Sequence, residues 1–402
     1  MDIYIMDWLS LIVRWLHVIT GIAWIGASFY FVWLDNNLQN PPQWKKDKGI
    51  KGDLWAIHGG GIYEVAKYTL QPEKIPEILH WFKWEAYTTW LTGMLLLIII
   101  YYLGADSYLI DKRVADLSQI KAIVLGLGFI VGSWVVYELL CSSQLTNNSY
   151  VISILLIVFA TVIAYSLTKL FSGRGAYIHF GAIIGTLMAG NVFRVIIPSQ
   201  KALVAAIIEG KEPESKWAKK AKLHSTHNTY LTLPLLFIMI SNHYPMTYEH
   251  TFNWLILIVI TAITAIARQF FILKHRGIHK PTLLVVSAMA TLLLAIMIAP
   301  KQLAPSAKTT NLDQVQLSTQ VLSIINRRCK SCHAKRPTDD AFIVSPGGFV
   351  LETMDDIKQQ ARQIGARSVL SHNMPFMNKT GMTQKERHII GRWIEQIDQA
   401  KK

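Results

Sequence analysis

Long apolar runs fill roughly the first 300 residues and constrain the fold of this chain more than any other feature. A helix needs about 20 mostly apolar residues to cross the hydrocarbon core of a bilayer. Because lipid-exposed backbone must satisfy its own hydrogen bonds, such runs predict an all-α, polytopic bundle of about eight spans. The candidate spans, the sixth of which is short, are residues 8–34, 82–103, 119–141, 150–171, 178–198, 229–243, 252–273 and 281–299.

Basic residues in the predicted loops orient this bundle. A formal net charge of +14 is compatible with nucleic-acid binding, but most Lys and Arg lie in the loops 35–80, 199–228 and 274–280. The alternate loops hold few basic residues. Because cytoplasmic loops of membrane proteins carry the excess of Lys and Arg, both termini are expected outside the cytoplasm. We therefore expect lipid around the bundle and no nucleic-acid partner.

The chain changes character after the last apolar run, and this change predicts three parts. Residues 1–300 form the transmembrane domain, and residues 301–312, with Pro305 and a polar tract, form a linker. Residues 313–402 mix polar and apolar positions like a small soluble domain. The first apolar run lacks a basic segment before it, so we interpret it as a retained span and not as a cleaved signal.

A Cys-X-X-Cys-His motif, Cys329, Cys332 and His333, is the most specific chemical signal in the chain. Two thiols a helical turn apart attach to the vinyl groups of one haem, and the adjacent His becomes an axial iron ligand. A zinc site is the alternative, but zinc favours four Cys or His ligands and this domain has no other Cys. We expect one covalent haem c here, and the domain therefore transfers electrons.

The second axial ligand of the iron is expected some 40–60 residues after His333. The segment 371–377 contains a Met-Pro pair and resembles the Met-Pro loop of small bacterial cytochromes c. That resemblance implies that Met374 ligates the iron, with Met377 and His372 as alternatives. A final helix is indicated by a Thr383–Glu386 capping box and by apolar residues at helical spacing after it.

Polar residues inside the predicted spans mark a second site, because such residues are costly in lipid and usually functional. With the assigned topology they gather toward the cytoplasmic face. Each could also be an interfacial residue with its charged end in water. The candidate catalytic residues are Glu85, Glu138, Arg194, His224, His227 and Arg268.

A histidine near the middle of the first span, His17, indicates a second cofactor. Electrons from a site at the cytoplasmic face must cross much of a core about 30 Å thick to reach an outer haem. We infer an intermediate carrier, a b-type haem held by His17 together with His179 or His243. Hydrogen-bonded packing is the alternative role for these histidines.

Four segments of the chain carry a family resemblance. They resemble the bacterial membrane-bound urate oxidases, which fuse an eight-span domain to a C-terminal cytochrome c. The segments are Arg14–Val18 with Gly21–Ser28, Trp84–Trp90, His224–Tyr230 and Ser241–Pro245.

The resemblance implies a reaction and a location. It implies hydroxylation of the purine urate to 5-hydroxyisourate in the bacterial inner membrane, with the cytochrome domain periplasmic. Electrons would pass to the fused haem and on to another cytochrome c or a terminal oxidase. Arg194 or Arg268 would hold the urate anion, and His227, His224 or Glu85 would accept protons. The alternative is a membrane-anchored cytochrome c subunit without a substrate of its own.

Overall fold

The computed structural model describes residues 2–69, 72, 75–274, 277–299, 311–339, 342 and 344–400. The predicted linker, residues 301–312, lies outside the described residues except for its last two, which already belong to a helix. We refer to residues 2–299 as the N-terminal module and to residues 311–400 as the C-terminal module.

Long helices make up most of the N-terminal module. Three short helices, α2 (Gln43–Lys46), α4 (Ala105–Tyr108) and α10 (Pro245–Tyr248), lie between them. The helices α3 and α7 each continue through a π-helical turn, at Leu97–Tyr102 and Asn191–Ile196. The long helices are α1 (Asp2–Asn37), α3 (Trp84–Leu96), α5 (Gln119–Ser142), α6 (Ser149–Leu170), α7 (Gly173–Gly190), α8 (Ile197–Ile208), α9 (Ser215–Ser241), α11 (Asn253–Lys274) and α12 (Thr282–Met297).

Among the described residues, six helical segments are long and apolar enough to cross a membrane. They coincide with six of the eight predicted spans. The predicted span 229–243 is the apolar second half of α9, whose first half carries four lysines. The predicted span 281–299 corresponds to α12, which has only 16 residues. Length and composition therefore support six spans directly.

Helix α7 lies at the centre of the N-terminal module: 11 of its 18 residues are buried, and none is exposed. Small residues let its neighbours approach closely. A Cβ at Gly181 would come within 2.7 Å of Ile238 on α9. A Cβ at Gly126 on α5 would come within 2.6 Å of the His179 ring. These contacts build a core that contains Tyr102 and Tyr177.

An antiparallel hairpin of β1 (Ile50–His58) and β2 (Gly61–Tyr68) interrupts the otherwise helical fold. Gly59 and Gly60 form its turn with φ of 57° and 81°, which only glycine adopts readily at both positions. Both strands lie within residues 35–80, for which we expected a loop. The buried Lys45 binds Asp53 and Glu64 at the base of the hairpin.

The C-terminal module contains α13 (Asn311–Arg328), α14 (Met354–Gln359), α15 (Ala361–Ile364) and α16 (Gln384–Ala400). Helix α13 packs on α16, where the Trp393 indole donates to Ser318 Oγ at 3.1 Å. The predicted capping box is confirmed. Thr383 N donates to Glu386 Oε2 at 2.7 Å, and Glu386 N donates to Thr383 Oγ1 at 3.2 Å.

The two modules meet at one aromatic contact. The ring of Tyr108 lies 5.4 Å from that of Phe376, and the Arg174 guanidinium stands over both rings at 5.4 and 5.9 Å. Arg174 Nε also donates to Asn242 Oδ1 at 3.2 Å. The connecting segments around Tyr108, Arg174 and Asn242 therefore lie at the same end of the helices as the C-terminal module. These segments hold few basic residues.

Candidate functional site

A cavity of about 410 Å³ occupies the centre of the C-terminal module, and we call it the crevice. The chain leaves α13 directly into Cys329, Cys332 and His333. Hydrogen bonds from the backbone N–H groups of Cys332 and His333 to the Cys329 carbonyl, at 3.1 and 2.9 Å, keep the motif in a helical turn. Both thiols and the imidazole line the crevice.

The imidazole of His333 is oriented by the chain itself. Its Nδ1 makes a 2.9 Å hydrogen bond to the carbonyl oxygen of Phe349, and Nε2 has no hydrogen-bond partner among the described residues. Carbonyl contacts of this kind fix the orientation of ligating histidines and leave the second nitrogen for a metal. His333 therefore has the geometry of an iron ligand.

Met374 lines the same crevice in a rigid loop. Its N–H donates to Arg367 O at 3.0 Å, and its carbonyl accepts from Arg387 Nη1 at 2.7 Å. Met377 lines instead a neighbouring cavity of about 240 Å³ between the modules, and His372 lines neither space. Of the three predicted candidates, Met374 alone shares the crevice with His333.

The chemistry of the crevice fits a c-type haem better than zinc. Its walls are largely apolar and aromatic, and burial raises the pKa of the Cys329 thiol to about 12 and that of Cys332 above its usual value. Zinc requires thiolates. No third Cys, His, Asp or Glu completes a metal site with these thiols in the described part of the chain. The apolar wall residues are Phe342, Phe349, Leu351, Ile364 and Phe376.

A second polar centre, the Tyr137 cluster, lies where α5, α9 and the π-helical turn after α7 meet. We define it by Tyr137, Asn191, His227 and Asn228. Asn191 Nδ2 donates to Tyr137 O–H at 3.0 Å and to Asn228 Oδ1 at 2.8 Å, and the Tyr137 hydroxyl contacts His227 Nδ1 at 2.7 Å. Asn228 Nδ2 donates to Met188 O at 3.0 Å. The cluster thus satisfies most of its own polar atoms.

Three further predicted catalytic residues border this cluster. The His224 ring lies 6.1 Å from that of His227; its Nδ1 contacts Lys220 O, and its buried Nε2 has no partner among the described residues. Arg194 pairs with Glu138 at 3.5 Å and stacks over Trp134 at 5.3 Å. Four of the six predicted catalytic residues therefore gather in one region.

The remaining two predicted catalytic residues lie elsewhere. Arg268 is buried on α11, with its guanidinium 5.0 Å from the Phe29 ring of α1. Its Nε and Nη2 have no hydrogen-bond partner among the described residues. Glu85, at the start of α3, lines a separate pocket.

The histidines predicted to ligate a second haem lie apart from one another. His17 Nδ1 contacts Thr89 O at 3.1 Å and its ring packs on Gly93, whereas His179 Nδ1 contacts Gly175 O at 2.8 Å. His243 lines the cavity between the modules. No described contact joins His17 to either partner, and the b-type haem stays a prediction.

Sequence reasoning missed Tyr137, which lies at the centre of the cluster. Nothing in an apolar run distinguishes an aromatic that packs from one whose hydroxyl organises a network. The π-helical turn at Asn191–Ile196 was missed as well, although such turns often occur at functional sites.

Comparison with known proteins gives one match. Residues 3–299 match the family model described as Urate oxidase N-terminal. No curated protein and no solved structure matches the chain.

Proposed function

Since the match over residues 3–299 covers well over half of the chain, the protein belongs to the Urate oxidase N-terminal family, and we propose that it is a membrane enzyme that hydroxylates urate to 5-hydroxyisourate. Family membership supports an oxidoreductase with a urate-like substrate. The six apolar helices support a multi-pass protein, and we propose that α9 and α12 complete eight spans in the inner membrane of a bacterium.

The crevice is the observation that supports a c-type haem as the electron acceptor. His333 and Met374 share it with Cys329 and Cys332, so these four residues would hold a c-type haem. Such a haem supplies a one-electron acceptor when bound. The aromatic contact through Tyr108 and Phe376 brings this module against the family domain, and we propose that the C-terminal module is periplasmic.

The reaction requires proton acceptors within the N-terminal module. Urate and one water give 5-hydroxyisourate with the release of two protons and two electrons. Water supplies the new hydroxyl, and the electrons leave toward the C-terminal module and then to a respiratory cytochrome c or oxidase. Glu85, His224 and His227 are the groups that can accept protons. Glu138, Arg194 and Arg268 complete the proposed set, with the two arginines available for the urate anion.

An anaerobic reduction experiment tests this function. Urate is added to the purified, oxidised, full-length holoprotein without oxygen, and the absorbance of the c-type haem is followed. We expect reduction with urate and none with allantoin, a ring-opened relative. Absence of reduction by urate, in protein that dithionite does reduce, contradicts the proposal and favours a cytochrome subunit without its own substrate.

A further inference from the structure

A pocket of about 610 Å³ shares no lining residue with the crevice or with the Tyr137 cluster. It opens among α1, the residues before α3, the turn that leads into α8, and α9. Aromatic side chains form much of its wall, and polar side chains from α1, α3, α8 and α9 complete it. The aromatic residues are Trp24, Phe31, Trp81 and Phe82, and the polar residues include Asp35, Glu85, Gln200 and Ser225.

One carboxylate oxygen in this pocket has no partner. Glu85 Oε2 is buried and takes no hydrogen bond from any described residue, while Oε1 lies 3.9 Å from His80 Nε2. An unsatisfied buried carboxylate oxygen costs free energy, and native structures seldom keep one without a donor. This oxygen therefore suits a ligand that brings an N–H group.

We propose that this pocket binds the purine ring of the substrate, with Glu85 accepting a hydrogen bond from a ring N–H. The inference rests on the proposed function and adds the place of binding; of the proposed catalytic residues, Glu85 alone lines this pocket, so the inference narrows the set to that carboxylate. Indole and phenyl walls favour a flat heteroaromatic by stacking. The Gln200 amide, which no described residue engages, can pair with the adjacent carbonyl and N–H edge of the ring.

The pocket also gives the released protons a route. Glu85 Oε1 faces His80, whose side chain is 71% exposed, so a proton taken by the carboxylate can reach solvent through the imidazole. The carboxylate can relay the two protons of the balanced reaction one after the other. The two electrons leave toward the C-terminal module, which acts as the one-electron acceptor twice.

Apolar packing joins the pocket to the core of the N-terminal module, and aromatic contacts join that core to the crevice. Trp24 lines the pocket and also packs against the core that contains Tyr101. The Tyr101 ring lies 6.2 Å from that of Tyr108, which contacts Phe376 at the rim of the crevice. Tyr101, Tyr108 and Phe376 therefore extend from this core to the crevice.

Equilibrium binding to the reduced holoprotein, which cannot turn over, tests the proposal. Labelled urate is dialysed against full-length protein and against Glu85→Gln. Glutamine keeps an acceptor oxygen but loses the charge, and replacing a charge-assisted hydrogen bond by a neutral one predicts about tenfold weaker binding. Trp81→Leu should weaken binding by stacking loss, whereas Glu209→Gln and Trp33→Leu, which lie outside the pocket, should bind like wild type.

A second measurement covers the case in which Glu85→Gln fails to fold. Ser28 lines the pocket and Ser149 is exposed at the start of α6, so Ser28→Cys and Ser149→Cys form a matched pair for alkylation. Urate should slow alkylation at position 28 only. Unchanged urate affinity in both pocket variants, or equal alkylation with and without urate, would overturn the proposal that urate binds in this pocket.

The outcomes separate this inference from the proposed function. If urate reduces the wild-type haem while Glu85→Gln and Trp81→Leu bind urate normally, the function stands and the pocket is wrong. If the pocket binds urate but no haem is reduced, the binding site stands and the redox function is wrong. Protection at position 28 by lipid or detergent but not by urate assigns the pocket to lipid.

Discussion

The crevice and the Tyr137 cluster use polar atoms in opposite ways. In the crevice, the Phe349 carbonyl fixes the His333 imidazole and Arg387 donates to the Met374 carbonyl, while Nε2 of His333 has no partner among the described residues. In the Tyr137 cluster, the amide nitrogens of Asn191 and Asn228 donate hydrogen bonds to protein acceptors. A site that binds a ligand needs polar atoms that have no protein partner. A network that holds helices together needs all of its polar atoms hydrogen-bonded within the protein.

The same criterion divides the remaining polar residues of the N-terminal module into those with an unpartnered buried atom and those without one. Glu85, His224 and Arg268 each carry at least one buried atom without a partner among the described residues. They resemble the crevice in this respect. Asn191 and Asn228, whose amides pair with protein groups, resemble a structural network.

Replacement of the proposed axial ligand has the largest effect. Met374→Ala should remove the near-infrared Met–iron charge-transfer band and abolish reduction by urate, because the crevice loses its only thioether among the described wall residues. Met377→Ala is the matched control and should retain the band. A normal band in Met374→Ala would show that another residue ligates the iron.

A pH effect of up to about 3 kcal/mol is expected at the contact between the modules. Burial raises the pKa of Glu249 to about 7, with Asp111, Arg113 and Arg387 as its charged neighbours. The folded state then binds more protons than the unfolded state above pH 4.5, so the stabilisation present at low pH is lost as pH rises through 7.

Glu249→Gln tests the origin of this pH effect. Thermal unfolding between pH 5 and 8 should become flatter in the variant than in wild type. The exposed Glu209→Gln is the control and should keep the wild-type slope. Equal slopes in all three proteins would place the pH dependence on another group.

Disruption of the Tyr137 cluster should lower stability more than it lowers urate binding. Asn191→Ala removes two donated hydrogen bonds and leaves the buried Asn228 oxygen unpaired, which costs about 1–3 kcal/mol. The melting temperature should fall while the Kd for urate changes less than threefold, an estimate that follows from the absence of direct contact. A large loss of urate affinity without destabilisation would make the cluster a binding site instead.

The smallest effect is expected at the stack between the modules. Arg174→Met and Phe376→Leu, alone and together, form a double-mutant cycle on thermal unfolding. Cation–π pairs of this exposure give a coupling of about 0.5–2 kcal/mol. Strict additivity would show that the modules are held together by other contacts.

The sequence predicted most where a few neighbouring residues determine the outcome. The capping box at Thr383 and the helical turn at Cys329 depend on residues within four positions of each other, and both are present. The long apolar helices follow from length and composition in the same way. The hairpin was missed, although Gly59 and Gly60 between two strand-like runs are a recognised hairpin signal.

The grouping of the polar residues in the N-terminal module could not be predicted from the sequence. Membrane depth placed Glu85, Arg194 and Arg268 at one face, but rotation of each helix about its axis decides which residues meet. Glu85 faces Trp81 and α1, Arg194 faces Glu138, and Arg268 faces Phe29. Those rotations are set by packing between helices that are far apart in the chain.

One measurement tests the central claim, that urate gives its electrons to the C-terminal module of the same chain. Oxidised holoprotein is titrated with substoichiometric urate under anaerobic conditions in isotopically labelled water. If urate reduces the haem of the same chain and water supplies the new hydroxyl, each urate consumed gives two reduced c-type haems and one labelled oxygen in the product. Urate consumption without haem reduction, or a product oxygen that does not come from water, would contradict it.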